Sequence, residues 1–146
     1  MTLRFNTKSF NNLSLNELYQ LLKLRQDVFI IEQDCPYPEL DNQDQNAWHL
    51  LGKTDDRIVA YLRIIPPKNG FLSIGRVAID EHYRGRKWAY DLMQKGLETA
   101  FDKYGKMPVK ITAQEYLVNF YKKLGFKPIS EVYLDYNLPH VDMVLE

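Results

Sequence analysis

The chain has 146 residues, a length that fits one domain around one hydrophobic core. Apolar residues make up 45% of it and aromatic residues 13%, which is enough for a packed core and argues against disorder. Its 19 basic and 19 acidic residues cancel. This balance argues against a general nucleic-acid-binding protein, because such proteins usually carry a basic excess.

Targeting and redox signals point to the cytoplasm. The N-terminal segment has no apolar signal-peptide region, and no run reaches the roughly 18 apolar residues that a membrane span needs. The one cysteine, Cys35, cannot form an intrachain disulfide, which favours a reducing compartment. We therefore expect a single cytoplasmic domain over residues 1–146, with neither a membrane nor a nucleic acid as partner.

The first half of the chain predicts a strand, a helix and then three strands. Residues 2–10 alternate weakly, as an opening strand does. Ser14 and Glu17 have the spacing of a capping box, and apolar residues at helical spacing predict a helix over 14–31. Residues 33–46 carry prolines, acids and amides and predict a loop. The three strands are expected near 47–53, 57–65 and 71–79, with turns at 55–56 and 66–70.

The second half predicts two helices that alternate with strands. An apolar stripe over 88–101 predicts a helix that Gly105 ends, and the alternation over 109–113 predicts a strand. Apolar residues over 117–124 predict a short helix with Gly125 as its C-terminal cap. The tail predicts a hairpin formed by 128–136 and 141–146 around the segment 137–140.

The resulting order is β-α-β-β-β-α-β-α-β-β. It contains one strand–helix–strand unit inside an otherwise antiparallel run. We therefore expect an α/β (α+β) fold with a mixed, mostly antiparallel central sheet and helices on both faces.

The segment from Arg76 to Ala89 carries the strongest functional signal. It reads as the end of a strand, a basic turn with one glycine, and the start of a helix. Unpaired N–H groups and the positive end of the helix dipole meet at such a turn, which makes it a ready site for a phosphate. Neither G-x-x-x-x-G-K-S/T nor G-x-G-x-x-G is present.

This turn resembles the acyl-CoA turn of the GNAT superfamily of N-acetyltransferases, whose pattern is Q/R-x-x-G-x-G/A. Arg84 fills the first position and Ala89 the last, and Gly85 matches a common R-G start. Lys87 stands where the family usually has glycine. We expect lysine to serve there only with a negative φ and an outward side chain.

Two further segments extend the resemblance over nearly the whole chain. Asn119–Phe126 reads N-F-Y-K-K-L-G-F and is similar to the late helix of the family. Segment 28–44, with its acidic residues, and segment 139–143 resemble the ElaA-like branch, which also tolerates lysine at position 87.

The resemblance implies acetyl-CoA as co-substrate. Main-chain N–H groups from Gly85 to Ala89 would cradle the pyrophosphate, helped by Arg84 or Arg86. Strand 77–79 would hold the pantetheine arm where it splays from its parallel neighbour, with an N–H near Val77 or Ala78 as the oxyanion donor. The expected cofactor-binding residues are Val77, Ala78, Ile79, Arg84, Gly85, Arg86, Lys87, Trp88, Ala89 and Asn119.

Tyr121 is the predicted general acid. A thiol has a pKa of about 8.5 and tyrosine about 10, close enough for proton transfer to the leaving thiolate. The resemblance assigns the same role to this tyrosine, whereas helical spacing alone favours a core aromatic. An ammonium with a pKa of about 10.4 must also lose a proton. The candidate bases are Glu32, His140, His49 and His82, of which Glu32 and His140 are expected to border the acceptor cleft.

Five carboxylates lie in the acidic segment 32–44, namely Glu32, Asp34, Glu39, Asp41 and Asp44. They favour a cationic amine as acceptor, and a hydrated loop is the alternative. Cys35 has no paired histidine spacing, so we expect direct transfer in a ternary complex. Scattered histidines and one cysteine predict no metal site.

Two other functions stay open at this level. Arg25 and Phe29, followed by the spaced acids, resemble acyl-homoserine-lactone synthases, although those chains are longer. A non-catalytic acyl-CoA-binding module would keep the turn without needing Tyr121 as an acid. The oligomeric state is open, with a homodimer as one option.

Overall fold

The computed structural model describes residues 1–146, and its elements follow the predicted order. The helices are α1 (Leu15–Arg25), α2 (Trp88–Tyr104) and α3 (Val118–Lys123). The strands are β1 (Arg4–Ser9), β2 (Trp48–Thr54), β3 (Arg57–Lys68), β4 (Phe71–Ile79), β5 (Val109–Gln114), β6 (Lys127–Pro128), β7 (Tyr133–Asp135) and β8 (Leu138–Leu145). The predicted strand over 128–136 is divided into β6 and β7.

One mixed sheet contains all the strands. Its order is β1-β2-β3-β4-β5-β8-β6, and β7 also pairs with β8. Only β4 and β5 run parallel, and α2 is part of the crossover between them. The predicted fold class is therefore confirmed.

Tight turns join three pairs of adjacent strands. Each has two central residues with positive φ, at 55–56, 69–70 and 136–137, which is the signature of the type I′ hairpin turn. The first was predicted. The second is shorter than predicted because β3 continues through its two prolines, where the pairing register is irregular. The third is a correction, because Tyr136 and Asn137 adopt the left-handed conformation and thereby place His140 on β8, not in a loop.

The predicted helix over 14–31 forms, but its last part widens. Glu17 N–H donates to Ser14 Oγ at 3.0 Å and Ser14 N–H donates to Glu17 Oε1 at 2.9 Å, so the predicted capping box is present. From Gln26 to Ile31 the chain forms a π-helical turn, and Glu32 N–H donates five residues back to Asp27 O.

The helices cover opposite faces of the sheet. Because side chains alternate along a strand, Leu50 and Leu62 pack with α2 and α3, while Leu51 and Tyr61 pack with α1. Gly96 brings α2 close to β3, since a Cβ there would lie 2.7 Å from Leu62 Cδ2. None of the helices combines the length and apolar character that crossing a bilayer would require.

The start of α1 is tied to the sheet by Glu17, which is 7% exposed. Lys8 Nζ donates to Glu17 at 2.9 Å and Lys53 Nζ at 2.7 Å. Burial opposes the charged carboxylate, but the bonds from Lys53, the Ser14 main chain and Lys8 prevail and lower the pKa of Glu17 to about 2.

We expect Glu17 to make folding sensitive to acid. Because its pKa is lower in the folded chain, its contribution is complete above pH 4.5 and is lost as the pH falls towards about 2. We estimate about 2 kcal/mol, discounted for solvent screening of the lysines. Urea unfolding of Glu17→Gln should show this deficit at pH 7 and a much smaller one near pH 2. Equal deficits at both pH values would contradict the assignment.

Candidate active site

A cavity of about 620 Å³ opens where β4 and β5 separate. The two strands pair only at Leu72–Val109 and Ser73–Lys110, and beyond these residues they diverge. The cavity wall includes the part of β4 that does not pair with β5, the turn before α2, the start of α3 and the last hairpin. Nine predicted cofactor residues were named on β4 and the turn, and all of them except Arg86 line it.

The turn before α2 uses two left-handed residues, Gly85 with φ +81° and Lys87 with φ +62°. The expectation of a negative φ at Lys87 is therefore wrong. Lys87 is the N-cap of α2, and its carbonyl accepts a hydrogen bond from Asp91 N–H at 3.3 Å. The turn keeps the backbone geometry that glycine would adopt more easily, and an unbranched side chain tolerates it at about 1 kcal/mol.

We expect Lys87→Gly to stabilise the fold. Relief of the left-handed strain should outweigh the entropy that glycine loses on folding, for a net gain of about 0.5 kcal/mol and a Tm higher by about 1–2 °C. Differential scanning calorimetry measures this change in Tm.

Lys87→Glu is expected to weaken CoA binding, because its carboxylate would repel the proposed pyrophosphate. An unchanged CoA affinity in Lys87→Glu would show that this side chain faces away from the phosphates.

Arg84 links the turn before α2 to two other elements. Its Nε and Nη2 donate to the Ile79 carbonyl at 3.0 and 2.9 Å, and its Nη1 and Nη2 donate to the Glu32 carboxylate at 2.6 and 2.8 Å. The guanidinium is therefore hydrogen-bonded both to the end of β4 and to Glu32, the residue that follows the π-helical turn. This position favours an anchoring role for Arg84 over direct contact with a phosphate.

Arg86 has no carboxylate partner. Its guanidinium lies over the rings of Tyr83 and Trp88, 5.9 and 5.6 Å from their centroids, and the two rings stack at 6.0 Å. It is exposed beside the turn without lining the cavity. Of the two arginines considered for the pyrophosphate, Arg86 is the one whose charge is not neutralised by an acid.

Tyr121 lines the cavity on α3 and is 6% exposed. Its ring packs edge-on against Phe120 and Phe126. The hydroxyl has no hydrogen-bond partner in the protein, yet it is not sealed from solvent. Burial, with a smaller contribution from Tyr116, raises the pKa of Tyr121 to about 12, so the phenol stays protonated at neutral pH.

His140 faces the cavity from β8, opposite Gln114 of β5. Its Nδ1 lies 2.7 Å from the Leu138 carbonyl. A carbonyl only accepts, so Nδ1–H donates there, and the neutral ring keeps its lone pair on Nε2. This arrangement leaves Nε2 able to accept a proton.

The other candidate bases are less suited to the role. The hydrogen bonds from Arg84, partly opposed by burial, lower the pKa of Glu32, which makes it a weaker base. Burial lowers the pKa of His49, whose Nε2–H donates to Asp44 O at 2.9 Å and whose Nδ1 accepts from Tyr61 O–H at 2.6 Å. His82 is exposed beside Asp80 and lies outside the cavity wall.

The acidic segment does not form a free negative surface. Arg25 donates to Glu39 at 2.6 Å and to Asp44 at 2.9 Å, and Arg63 donates to Asp44 at 2.9 Å and to Asp41. Arg76 adds further bonds to Glu39 and Asp41. We call these six residues, Arg25, Glu39, Asp41, Asp44, Arg63 and Arg76, the arginine–carboxylate network. The hypothesis that this segment attracts cations through free carboxylates is thereby weakened.

Two remaining predicted residues have ordinary surroundings. Asn119 is exposed on α3 and does not line the cavity. Cys35 is buried at the cavity wall, and its Sγ–H donates to the Tyr136 carbonyl at 3.5 Å. Sequence reasoning missed Arg76, which lines the cavity with φ +52°, because nothing in the local pattern marks a left-handed arginine.

Known proteins resemble this chain in both sequence and fold. Residues 19–146 match the acetyltransferase (GNAT) domain family. The protein ElaA of Escherichia coli is 41% identical over 140 residues, which span 93% of this chain and 92% of ElaA. A UPF0039 protein of Schizosaccharomyces pombe is 39% identical over 146 residues, spanning 99% and 97% of the two chains.

Solved structures agree with these sequence matches. The crystal structure of Escherichia coli ElaA superimposes with a TM-score of 0.94 at 39% identity. An acyl-CoA N-acyltransferase from Pseudomonas aeruginosa superimposes with a TM-score of 0.95 at 37% identity. Each match covers 99% of this chain and 100% of the other. The chain therefore belongs to the GNAT acetyltransferase family, in its ElaA-like branch.

More distant structures share the fold alone. A CoA-dependent acyl-homoserine lactone synthase is 18% identical with a TM-score of 0.82, over 98% of this chain and 82% of the synthase. A GNAT family acetyltransferase from Elizabethkingia anophelis, solved with acetyl-CoA bound, is 14% identical with a TM-score of 0.68, over 99% and 97% of the chains.

Proposed function

We propose that this chain transfers an acetyl group from acetyl-CoA to a primary amine by direct attack in a ternary complex. The observation that carries the proposal is the single cavity lined both by the turn before α2 and by Tyr121, along the edge of β4 that β5 leaves unpaired. Membership of the acyl-CoA-dependent family supports the same reaction class.

The donor would lie along β4. Main-chain N–H groups from Gly85 to Ala89 and the N-terminus of α2 would bind the pyrophosphate, with Arg86 and Lys87 supplying positive charge. Beyond Ser73 the β5-facing edge of β4 has no strand partner, so its main-chain groups can bond to the pantetheine arm as an added strand would. Asn119 is exposed outside the cavity, which favours a solvent-facing amide over contact with this arm.

Tyr121 would protonate the leaving thiolate. Because the pKa of Tyr121 is raised to about 12, the donor proton is present at every physiological pH. The same burial also raises the pKa of a thiol that leaves inside this cavity, which keeps the two groups closer in acidity than their values in water suggest.

His140 is the proposed proton acceptor for the attacking amine. His140 lines the same cavity as Tyr121 and keeps a lone pair on Nε2, whereas Glu32 is neutralised by Arg84. A water molecule between Nε2 and the amine would complete the path. Glu32 would then have a structural role, in which its ion pair with Arg84 holds the cavity wall on the acceptor side.

The acceptor is proposed to be a primary amine of cationic character. Asp135 lines the cavity without an ion pair and can attract an ammonium group. The rings of Tyr37 and Tyr136, 5.6 Å apart between centroids, border the same end and can stabilise a cation.

A screen of amines tests the proposed reaction. The protein is incubated with acetyl-CoA and a panel of polyamines, lysine derivatives and peptide N-termini, and free thiol is measured with product mass. We expect thiol release and an acetylated amine in at least one reaction. Binding of CoA without turnover on the whole panel would favour a non-catalytic binding module, and a preference for long acyl chains would favour a synthase-like activity.

We expect His140→Gln to lower kcat about 10²-fold near neutral pH, because the amine would lose its proton acceptor. CoA affinity should stay within about twofold of wild type, since His140 belongs to β8 and not to the turn before α2. His82→Gln is the matched control, because His82 is exposed outside the cavity. Equal kcat values for His140→Gln and wild type would exclude His140 as the base.

A further inference from the structure

An extra residue interrupts β4 beside the cavity. Tyr61 pairs with Ala78 and Arg63 pairs with Gly75, so two residues of β4, Arg76 and Val77, face one residue of β3. This arrangement is a β-bulge. Arg76 has a φ of +52°, a conformation that such bulges usually give to glycine. A glycine stands one position earlier, but its φ lies outside the left-handed region.

The side chain of Arg76 is held from three directions. Its Nε donates to Glu39 Oε2 at 2.7 Å, and its Nη2 donates to the Glu39 carbonyl at 3.1 Å and to Asp41 Oδ2 at 3.4 Å. The guanidinium also lies 5.6 Å from the centre of the Tyr37 ring. An arginine in a conformation unfavourable for its backbone is thus fixed through its side chain.

Its partners are themselves anchored to other elements. Arg25 of α1 donates to the same Glu39 oxygen, at 2.6 Å, and Arg63 of β3 donates to Asp41 at 2.5 Å. The arginine–carboxylate network therefore connects the bulge to α1 and to β3. This connection gives the acidic segment a role other than attracting a substrate.

The bulge lies at the point where the thioester would be held. Gly75, Arg76, Val77 and Ala78 all line the cavity. A bulge leaves a main-chain group outside the strand ladder, and β5 does not pair with this part of β4. We therefore expect an N–H of the bulge to face the cavity.

We propose that Arg76 is a positioning residue, whose ion pairs with Glu39 and Asp41 hold the bulge so that the Val77 or Ala78 N–H faces the thioester carbonyl. Arg76 acts through the main chain and does not contact the reacting atoms. This inference rests on the proposed acetyl transfer, in which that N–H stabilises the oxyanion.

The test separates backbone preference from side-chain anchoring. Arg76→Gly accepts the left-handed φ more easily but removes the ion pairs. We expect its kcat to fall about 10²-fold, with the dissociation constant for CoA changed less than about twofold. Asn69→Gly is the matched control, because Asn69 also has a positive φ, of 55°, in a turn outside the cavity. Its kcat should equal that of wild type.

Arg76→Lys keeps the charge without the two-pronged geometry and should recover part of the lost kcat. An independent readout uses amide NMR signals. In wild type, acetyl-CoA should shift the Val77 or Ala78 amide proton more than CoA does, and in Arg76→Gly this difference should shrink. Thermal unfolding of each variant shows whether it is folded. If Arg76→Gly does not fold, kcat and the amide response are both measured on Arg76→Lys instead.

The outcomes distinguish this inference from the function on which it rests. Wild-type kcat in Arg76→Gly would overturn it, as would a reduced kcat with an unchanged amide response. A wild-type protein that binds neither CoA nor acetyl-CoA would instead overturn the proposed function.

Discussion

Replacing Tyr121 by phenylalanine is expected to lower kcat about 10²- to 10³-fold on any good acceptor. The substitution removes the hydroxyl that is proposed to protonate the leaving sulfur and keeps the ring contacts with Phe120 and Phe126. CoA affinity should change less than about twofold, because the turn before α2, the proposed pyrophosphate site, is untouched. Steady-state kinetics with isothermal titration of CoA measures both quantities.

The matched control is Tyr90→Phe, which removes a tyrosine hydroxyl from α2 outside the cavity and should leave kcat unchanged. The pH profile adds a second criterion. Since burial raises the pKa of Tyr121 to about 12, ionisation of this phenol should cause no loss of rate between pH 8 and pH 10. If Tyr121→Phe turns over as fast as wild type, another group protonates the thiolate.

Asp44→Asn is expected to have the largest effect on stability. Asp44 Oδ1 accepts from Arg25 and from Arg63, both at 2.9 Å, and the side chain of Arg25 is fully buried. Burial opposes the Asp44 carboxylate, but the bonds from these two arginines prevail and lower its pKa. Removing the charge leaves buried guanidinium groups only partly neutralised, which should cost about 3 kcal/mol.

Urea unfolding measures this loss, with Asp56→Asn as control. Asp56 is exposed in a hairpin turn and has φ +62°, a conformation that asparagine accepts, so its replacement should change stability by less than about 0.5 kcal/mol. Equal unfolding midpoints for the two variants would show that the arginine–carboxylate network does not depend on the Asp44 charge.

Local signals in the sequence predicted local structure well. The capping box at Ser14 and Glu17, the apolar stripe of α2 and the aspartate turn at 55–56 are all encoded by residues within a few positions of one another. The turn before α2 was also found, because a helix start after a strand with basic residues is a short-range pattern. Its backbone conformation at Lys87 was not, since the fold and not the residue type imposes the left-handed φ.

Most of the features that could not be predicted from the sequence depend on contacts between residues far apart in the chain. Arg84 meets Glu32 across 52 positions, and Arg76 meets Glu39 across 37. No periodic pattern connects such residues. The sequence alone therefore could not show that acids of 32–44 are paired with arginines from other elements. His140 was misplaced for a related reason, because the hairpin turns at 136–137 and β8 already begins at Leu138, inside the predicted loop 137–140.

The π-helical turn over Gln26–Ile31 determines which side chains of this segment point towards the cavity. A wider turn accommodates one more residue than an α-helix of the same rise, so deleting one residue upstream of Phe29 would let the segment relax to ordinary winding. Side chains on both sides of the deletion would then keep their orientation, whereas one extra residue in an ordinary α-helix would rotate the side chains beyond it by about 100°. The widened turn thus works as a spacer that lets Leu21 and Leu24 face the core and Phe29 and Glu32 face the cavity from one continuous rod.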